Sequence, residues 1–238
     1  MSRAILYLVA AAAVALAARS VLAQSASPPA DAAAGGASLP VYKPPLRGAP
    51  GGRVGGASRS AVLHRTPLPI VELIAPADQA GVTAQPAPVL YFFISRPSRW
   101  PMQFTISAPM QPAPILEVTI SSATAAGIYP LRTAQYNLRL RPGVTYTWSV
   151  SVVLDPRAWS HNVVASATLE FDPALPTPPP TGGPVQRVAA LAQAGLWYDA
   201  ITAAVDAENL DRHRAFDALL QQVGLRQAAA FEQGVPTE

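Results

Sequence analysis

The chain has 238 residues, half of them apolar, with 17 basic and 14 acidic side chains, 26 prolines, 15 glycines and no cysteine. That length allows one or two domains with a packed core, and the missing cysteine excludes a disulfide framework and thiolate metal or redox chemistry. The small excess of positive charge gives no support for bulk nucleic-acid binding.

Residues 1–23 open on MSR, continue through AILYLVAAAAVALAA and end on SVLA before Gln24. A positive start, fifteen apolar residues and a small-residue end read as a secretory signal peptide cleaved after Ala23. The apolar stretch is mostly alanine and too short for a comfortable membrane span, so the expected location is periplasmic or secreted, with no stable membrane anchor after cleavage. Taking Arg3 and Arg19 from the 17 basic residues leaves 15 against 14 acids.

Residues 24–66 are rich in Ala, Pro, Gly and Ser and lack periodicity, which reads as a flexible basic arm whose order would come from a partner. Within it Arg47, Arg53, Arg59 and Arg65 recur every six residues, with no acid between Asp31 and Glu72. An even spacing returns side chains to one side of an extended chain. The arm is therefore either a solvated tether or a docking strip that offers Arg47, Arg53 and Arg59 to an anionic partner or to acidic patches on the rest of the chain. Its segment RGAPGGRVGGASR, residues 47–59, has the glycines of a phosphate loop but no preceding strand, no following helix and no Gly-Lys-Ser/Thr. Nucleotide binding is not expected there.

Residues 67–173 carry seven β-branched or aromatic runs between turn residues: IVELIA, VLYFFIS, FTIS, ILEVTI, YNLRL, TYTWSVSVVL and NVVASATLEF. Such spacing predicts an antiparallel sandwich. Tyr146, Trp148, Val150 and Val152 alternate with Thr145, Thr147, Ser149 and Ser151, one core face and one hydroxyl-rich face. In LRLRPGVTYTWSV, Leu138, Pro142, Gly143 and Tyr146 resemble the tyrosine corner of immunoglobulin-like domains.

Residues 174–183 form a proline-rich linker, and residues 184–238 turn helical. Val188, Leu191 and Ala192, then Ala200, Ile201, Ala204 and Val205, then Phe216, Leu219, Leu220 and Val223 predict three short helical segments, with Gly195 and Gly224 at helix C-termini. AQAGLWYDAITAA resembles the turn of a tetratricopeptide helix pair, with Trp197, Tyr198 and Asp199 either sealing the pair or meeting a partner. A lone unit cannot bury its own face, so these helices pack on the sandwich or on another protein. The fold class expected is mainly β with a C-terminal α segment: an immunoglobulin-like antiparallel β-sandwich, then a short tetratricopeptide-like helical hairpin region.

Candidates for chemistry are sparse. His64, His161 and His213 lack metal-ligand spacing, and Asp155, Ser160 and His161 in DPRAWSHN lack a nucleophile elbow and read as turn residues. Nothing places two of Glu117, Glu170 and Asp172 across a cleft. The loop residues Trp100 and Trp159 are candidates for sugar stacking. No catalytic, cofactor or metal residue is assigned. The reading is a non-enzymatic exported protein that meets an unidentified envelope protein; the alternatives are a carbohydrate-binding module and a hydrolase.

The blocks RGAPGGRVGGASR, PVLYFFISRP, LRPGVTYTWSVSVVLDP, AGLWYDAI and FDALLQQVGL together resemble the bacterial Domain of Unknown Function 928 family, from about Lys43 to Ala230. The resemblance places Arg47, Pro50, Arg53, Gly55, Gly56 and Arg59 in an arm motif and Gly195, Trp197, Tyr198 and Asp199 in a helical one, and implies no activity. In that family a cysteine often follows the arm motif and another the long strand, where Leu154 stands here. The resemblance thus implies an arm that is looser than in relatives or held by its arginines.

Overall fold

A computed structural model describes residues 39–45, 53–55, 67–178, 183–207 and 210–234. Among the described residues, nine strands lead into four helices. The strands are β1 (Val54–Gly55), β2 (Val71–Leu73), β3 (Gly81–Thr83), β4 (Val89–Ile94), β5 (Met102–Ser107), β6 (Leu116–Ile120), β7 (Gly127–Arg132), β8 (Thr145–Val152) and β9 (Val163–Phe171). The helices are α1 (Pro184–Gln193), α2 (Trp197–Asp206), α3 (Leu210–Gln222) and α4 (Arg226–Glu232).

The strands form a four-stranded sheet, β1-β2-β4-β7, and a five-stranded sheet, β3-β9-β8-β5-β6. Every pairing is antiparallel except that of β3 with β9. The protein is mainly β with a C-terminal helical segment, as its residue pattern predicts. In β8 Tyr146, Trp148, Val150 and Val152 are all buried as expected, and the alternation ends at Ser151, which is buried as well. The corner forms too: Gly143 has φ +70, and the Tyr146 hydroxyl accepts the Arg141 N–H at 3.0 Å.

Six of the seven expected runs contain strands, whereas YNLRL does not. A 3-10 turn occupies Thr133–Tyr136, and Asn137, at φ +55, turns the chain in the left-handed region. Leu138 and Leu140 still reach the core. Three strands escape the pattern because β1 and β3 are two and three residues long and β7 contains Gly127 and Pro130, residues that weaken a strand signal. Four helices stand where three were expected; α4 has seven residues, RQAAAFE, with only one large apolar side chain.

Helices and sheets share one core inside a single compact unit, Ala37–Glu238. The chain therefore resolves the alternative left open for its helices: they pack on their own sheets. Trp197 and Tyr198, the first two residues of α2, do the joining. The Trp197 indole N–H donates to the carbonyl of Ile74, just past β2, at 3.0 Å. The Tyr198 hydroxyl accepts the indole N–H of Trp148 on β8 at 2.9 Å and donates to the carbonyl of Thr168 on β9 at 3.1 Å. Both rings are essentially without exposed surface, and a Cβ on Gly81 would lie 2.6 Å from the Tyr198 ring.

The helical layer repeats itself. Gly195 has φ +79 and Gly224 has φ +72. Each is followed by a leucine whose N–H reaches back five residues, Leu196 to Leu191 at 3.0 Å and Leu225 to Leu220 at 2.9 Å. These are Schellman turns, where a left-handed glycine lets the last carbonyls of a helix find donors. LAQAGL and LQQVGL thus end α1 and α3 alike, Gly195 to Gly224 being an offset of 29 residues.

Tyr198→Phe keeps the ring but orphans the Trp148 indole N–H and removes a donor from Thr168. A buried polar group without a partner costs about 1–3 kcal/mol. The variant should unfold earlier in urea by that amount with an unchanged slope, and the emission of buried Trp148 should shift.

Candidate functional site

The described surface holds a cleft of about 760 Å³ between the β3–β4 turn and the face of the first helical hairpin. Thr83, Gln85, Ala87, Pro88 and Val89 supply one wall. Pro184, Arg187 and Leu191 of α1 and Asp199, Thr202, Ala203 and Asp206 of α2 supply the other. The latter positions fall at i, i+3, i+4 and i+7, one stripe of a helix. The opposite stripe of α2, Ala200, Ile201 and Ala204, is buried against the protein. Anchoring Trp197 and Tyr198 in the sheets therefore dictates which side of α2 faces the cleft.

Asp199 sits inside this cleft, partly covered. Its Oδ2 accepts the Ala84 N–H at 3.0 Å, and its side chain also hydrogen-bonds Thr83 and Gln85. Burial pushes its carboxyl above the ordinary 3.8, against those hydrogen bonds, which favour the charged form. Arg187 and Asp206 are exposed where they line the cleft, while Ala87, Pro88, Val89, Leu191 and Ala203 make its surface apolar. An apolar trough with a few charges of both signs suits recognition of another molecule.

The described parts of the arm are held by this chain. Tyr42 packs edge-on against Trp197, centroids 4.9 Å apart; Lys43 N–H donates to the Ala192 carbonyl; and Gln222 of α3 brackets the strip through the Tyr42 N–H and the Pro40 carbonyl. Farther along, β1 joins the four-stranded sheet beside β2. Gly55 is there for closeness, since a Cβ would lie 2.6 Å from the backbone carbonyl of Val164 on β9.

Of the candidate docking arginines, Arg53 is turned inward. Its Nη1 donates to the Ala75 carbonyl at 3.0 Å, and its charge favours ionisation of buried Glu72 on β2. Arg47 and Arg59 lie outside the described residues. Leu154 is a half-buried residue against the core, and its N–H donates to Asn162. Trp197 and Tyr198 meet this chain's own sheets, and of the helical trio Tyr198 and Asp199 line the cleft.

The remaining candidates fall apart from one another. Trp100 is half-buried with the Arg99 guanidinium 4.8 Å from its ring centroid, and Trp159 begins a 3-10 turn, its side chain outside the described residues. Asp155 caps its own turn by accepting the Arg157 N–H. His213 pairs with Glu232 at 3.3 Å, Glu117 accepts from Gln103, Asp172 accepts the Ala174 N–H, Glu170 is buried, and His64 lies outside the described residues. Among the described residues no group of three His, Cys, Asp or Glu side chains is placed to hold a metal, and no helix is long and apolar enough to cross a membrane.

A family model described as Domain of Unknown Function (DUF928) matches residues 54–232, from β1 to the end of α4. The chain belongs to the DUF928 family. Neither the curated proteins nor the solved structures contain a match. The matched span includes the β strands, the helices and every residue named above on the cleft walls. In this DUF928 protein the residues missed at the level of sequence are those that act by proximity: Gly55, Gly81 and Glu72. The twin LAQAGL and LQQVGL segments were a readable sign of the helical repeat.

Glu72 is buried, accepts the Ala228 N–H of α4 at 3.0 Å and stands near Arg53. Burial, the largest influence, pushes its carboxyl above the ordinary 4.5, and the other two contacts oppose that. A carboxyl raised on folding favours the folded state while protonated, so its contribution is lost as pH rises through the raised value. Glu72→Gln keeps an acceptor for Ala228 and removes the titration. Its stability relative to wild type should therefore increase as pH rises above the ordinary 4.5 in paired urea melts; a difference independent of pH would show that folding does not raise the Glu72 carboxyl.

Proposed function

We propose that this DUF928 protein is exported and acts in the envelope as a non-enzymatic interaction module, receiving an extended segment of another protein in the cleft between the β3–β4 turn and α1–α2. The observation that carries this reading is the composition of the cleft: apolar walls from Val89, Leu191 and Ala203, opposite charges in Arg187 and Asp206, and the carboxyl of Asp199 within. Apolar contact supplies affinity and the few charges select orientation, the usual division of labour in peptide recognition. Residues 1–23 support export by their charge, length and small-residue end.

We read the scaffold as an immunoglobulin-like sandwich carrying tetratricopeptide-like helix pairs. The Tyr146 corner supports the first part. The paired Schellman turns at Gly195 and Gly224 support the second. The arm is an internal brace in this reading, and the partner's segment lies on the cleft.

Ala203 is partly exposed on the cleft wall, so Ala203→Trp fills the trough without touching the core stripe of α2. Capture of the envelope partner by the exported protein should fall at least about tenfold, an energy of about 1.4 kcal/mol, with the thermal midpoint unchanged. Equal capture by the variant would place the partner elsewhere. N-terminal sequencing of the exported protein used in that assay should begin at Gln24.

A further inference from the structure

Four strands form the edges of the two sheets: β1 and β7 in one, β3 and β6 in the other. Exposed edges invite pairing with other chains, and folded proteins blunt them with short strands, proline, charge or a cover. Three of these edges are blunted. β1 is two residues long. β3 lies under α2, with the Tyr198 ring against Gly81 and Asp199 taking the Ala84 N–H. On β7, Thr133 N–H donates to Pro88 beside β4, so by alternation the nitrogen of Pro130 faces away and offers no donor.

β6 is blunted less: it is LEVTI, five residues with one charge, Glu117, and no proline, and among the described strands it pairs with β5 alone. Which of its backbone groups are free follows from the ladder. Val153 N–H donates to the Pro101 carbonyl, in register with the β5–β8 pairs, so odd-numbered residues of β5 face β8 and Met102, Phe104 and Ile106 face β6. Their opposites Ile120, Val118 and Leu116 therefore point N–H and C=O inward, and Glu117 and Thr119 point theirs out. Ile115 and Leu116 both stand against Ile106, a bulge that closes the ladder at one end. Leu116, Val118 and Ile120 remain only half-buried.

We infer that β6 is a self-association edge, pairing antiparallel with β6 of a second copy about a two-fold axis at Val118. In that register Glu117 lies opposite the partner's Thr119, and each such pair exchanges two backbone hydrogen bonds. Leu116 lies opposite the partner's Ile120, so the half-buried apolar row meets its like. A register centred on Glu117 would put two carboxylates together, and one centred on Thr119 would leave Leu116 without an apolar opposite. In this register the strand meets itself with its carboxylates apart and its apolar row aligned, as a two-fold interface requires. The two five-stranded sheets become one continuous sheet.

Sedimentation of the purified protein should give twice the chain mass, reversibly with dilution. Thr119→Pro removes an outward N–H and none of the bonds to β5, and Thr119→Glu sets a carboxylate opposite the partner's Glu117; each should reduce the mass to that of one chain. Both should do so while keeping the circular dichroism of the folded chain, and the second keeps the test valid if proline disturbs the strand. The chain has no cysteine, so mild oxidation of Val118→Cys, at a non-hydrogen-bonded pair with Cα atoms about 4.5 Å apart, should give a single covalent dimer. A wild-type monomer at high concentration, a dimer that survives Thr119→Glu, or no disulfide from Val118→Cys would each overturn the inference.

Discussion

Everything else in this fold is arranged around the insertion of Trp197 and Tyr198 between the helices and both sheets. One indole N–H is tied to the carbonyl beside β2, and one phenol bridges β8 and β9. Two large rings buried this way remove much apolar surface from water, and their polar atoms demand partners at fixed positions. That combination sets the rotation of α2, and the rotation of α2 sets the cleft. The stripe carrying Ala200, Ile201 and Ala204 must face the core, so Asp199, Thr202, Ala203 and Asp206 face the opening.

The arm completes the same interface from outside. Tyr42 stacks edge-on against Trp197, Pro45 and the Lys43 carbonyl close over Gly195, and Arg53 lies beside Gly224 while holding the Ala75 carbonyl. The arm therefore touches both repeated turns of the helical layer. Glu72, fixed between β1, β4 and the Ala228 N–H of α4, connects arm, sheet and last helix within a few ångströms. This chain braces the arm by a guanidinium, aromatic contact and backbone bonds.

An organisation of this kind separates two surfaces. The cleft lies where the helices meet the β3–β4 turn, and the free edge of β6 lies on the opposite margin of the five-stranded sheet from β3. Pairing through β6 would leave the cleft of each copy open, and two clefts on one assembly raise the effective concentration of the second site once a first is engaged.

The sequence by itself determined the class of the protein, the strands with long alternating patterns, the Tyr146 corner, three of the helices and the two glycine turns. Each of these depends on local chemistry: side-chain period, or a backbone angle that glycine tolerates. Tertiary structure decided what contact alone can decide. Gly55 looks like freedom but is a close approach to Val164, and Arg53 looks like a free cation but meets Ala75. Trp197 and Tyr198 were identifiable as important, yet whether a partner or this chain's own sheets received them depended on residues 123 and 30 positions away, at Ile74 and Thr168. The cleft was invisible for the same reason. Its walls come from segments about a hundred residues apart, and neither wall carries a pattern that names the other.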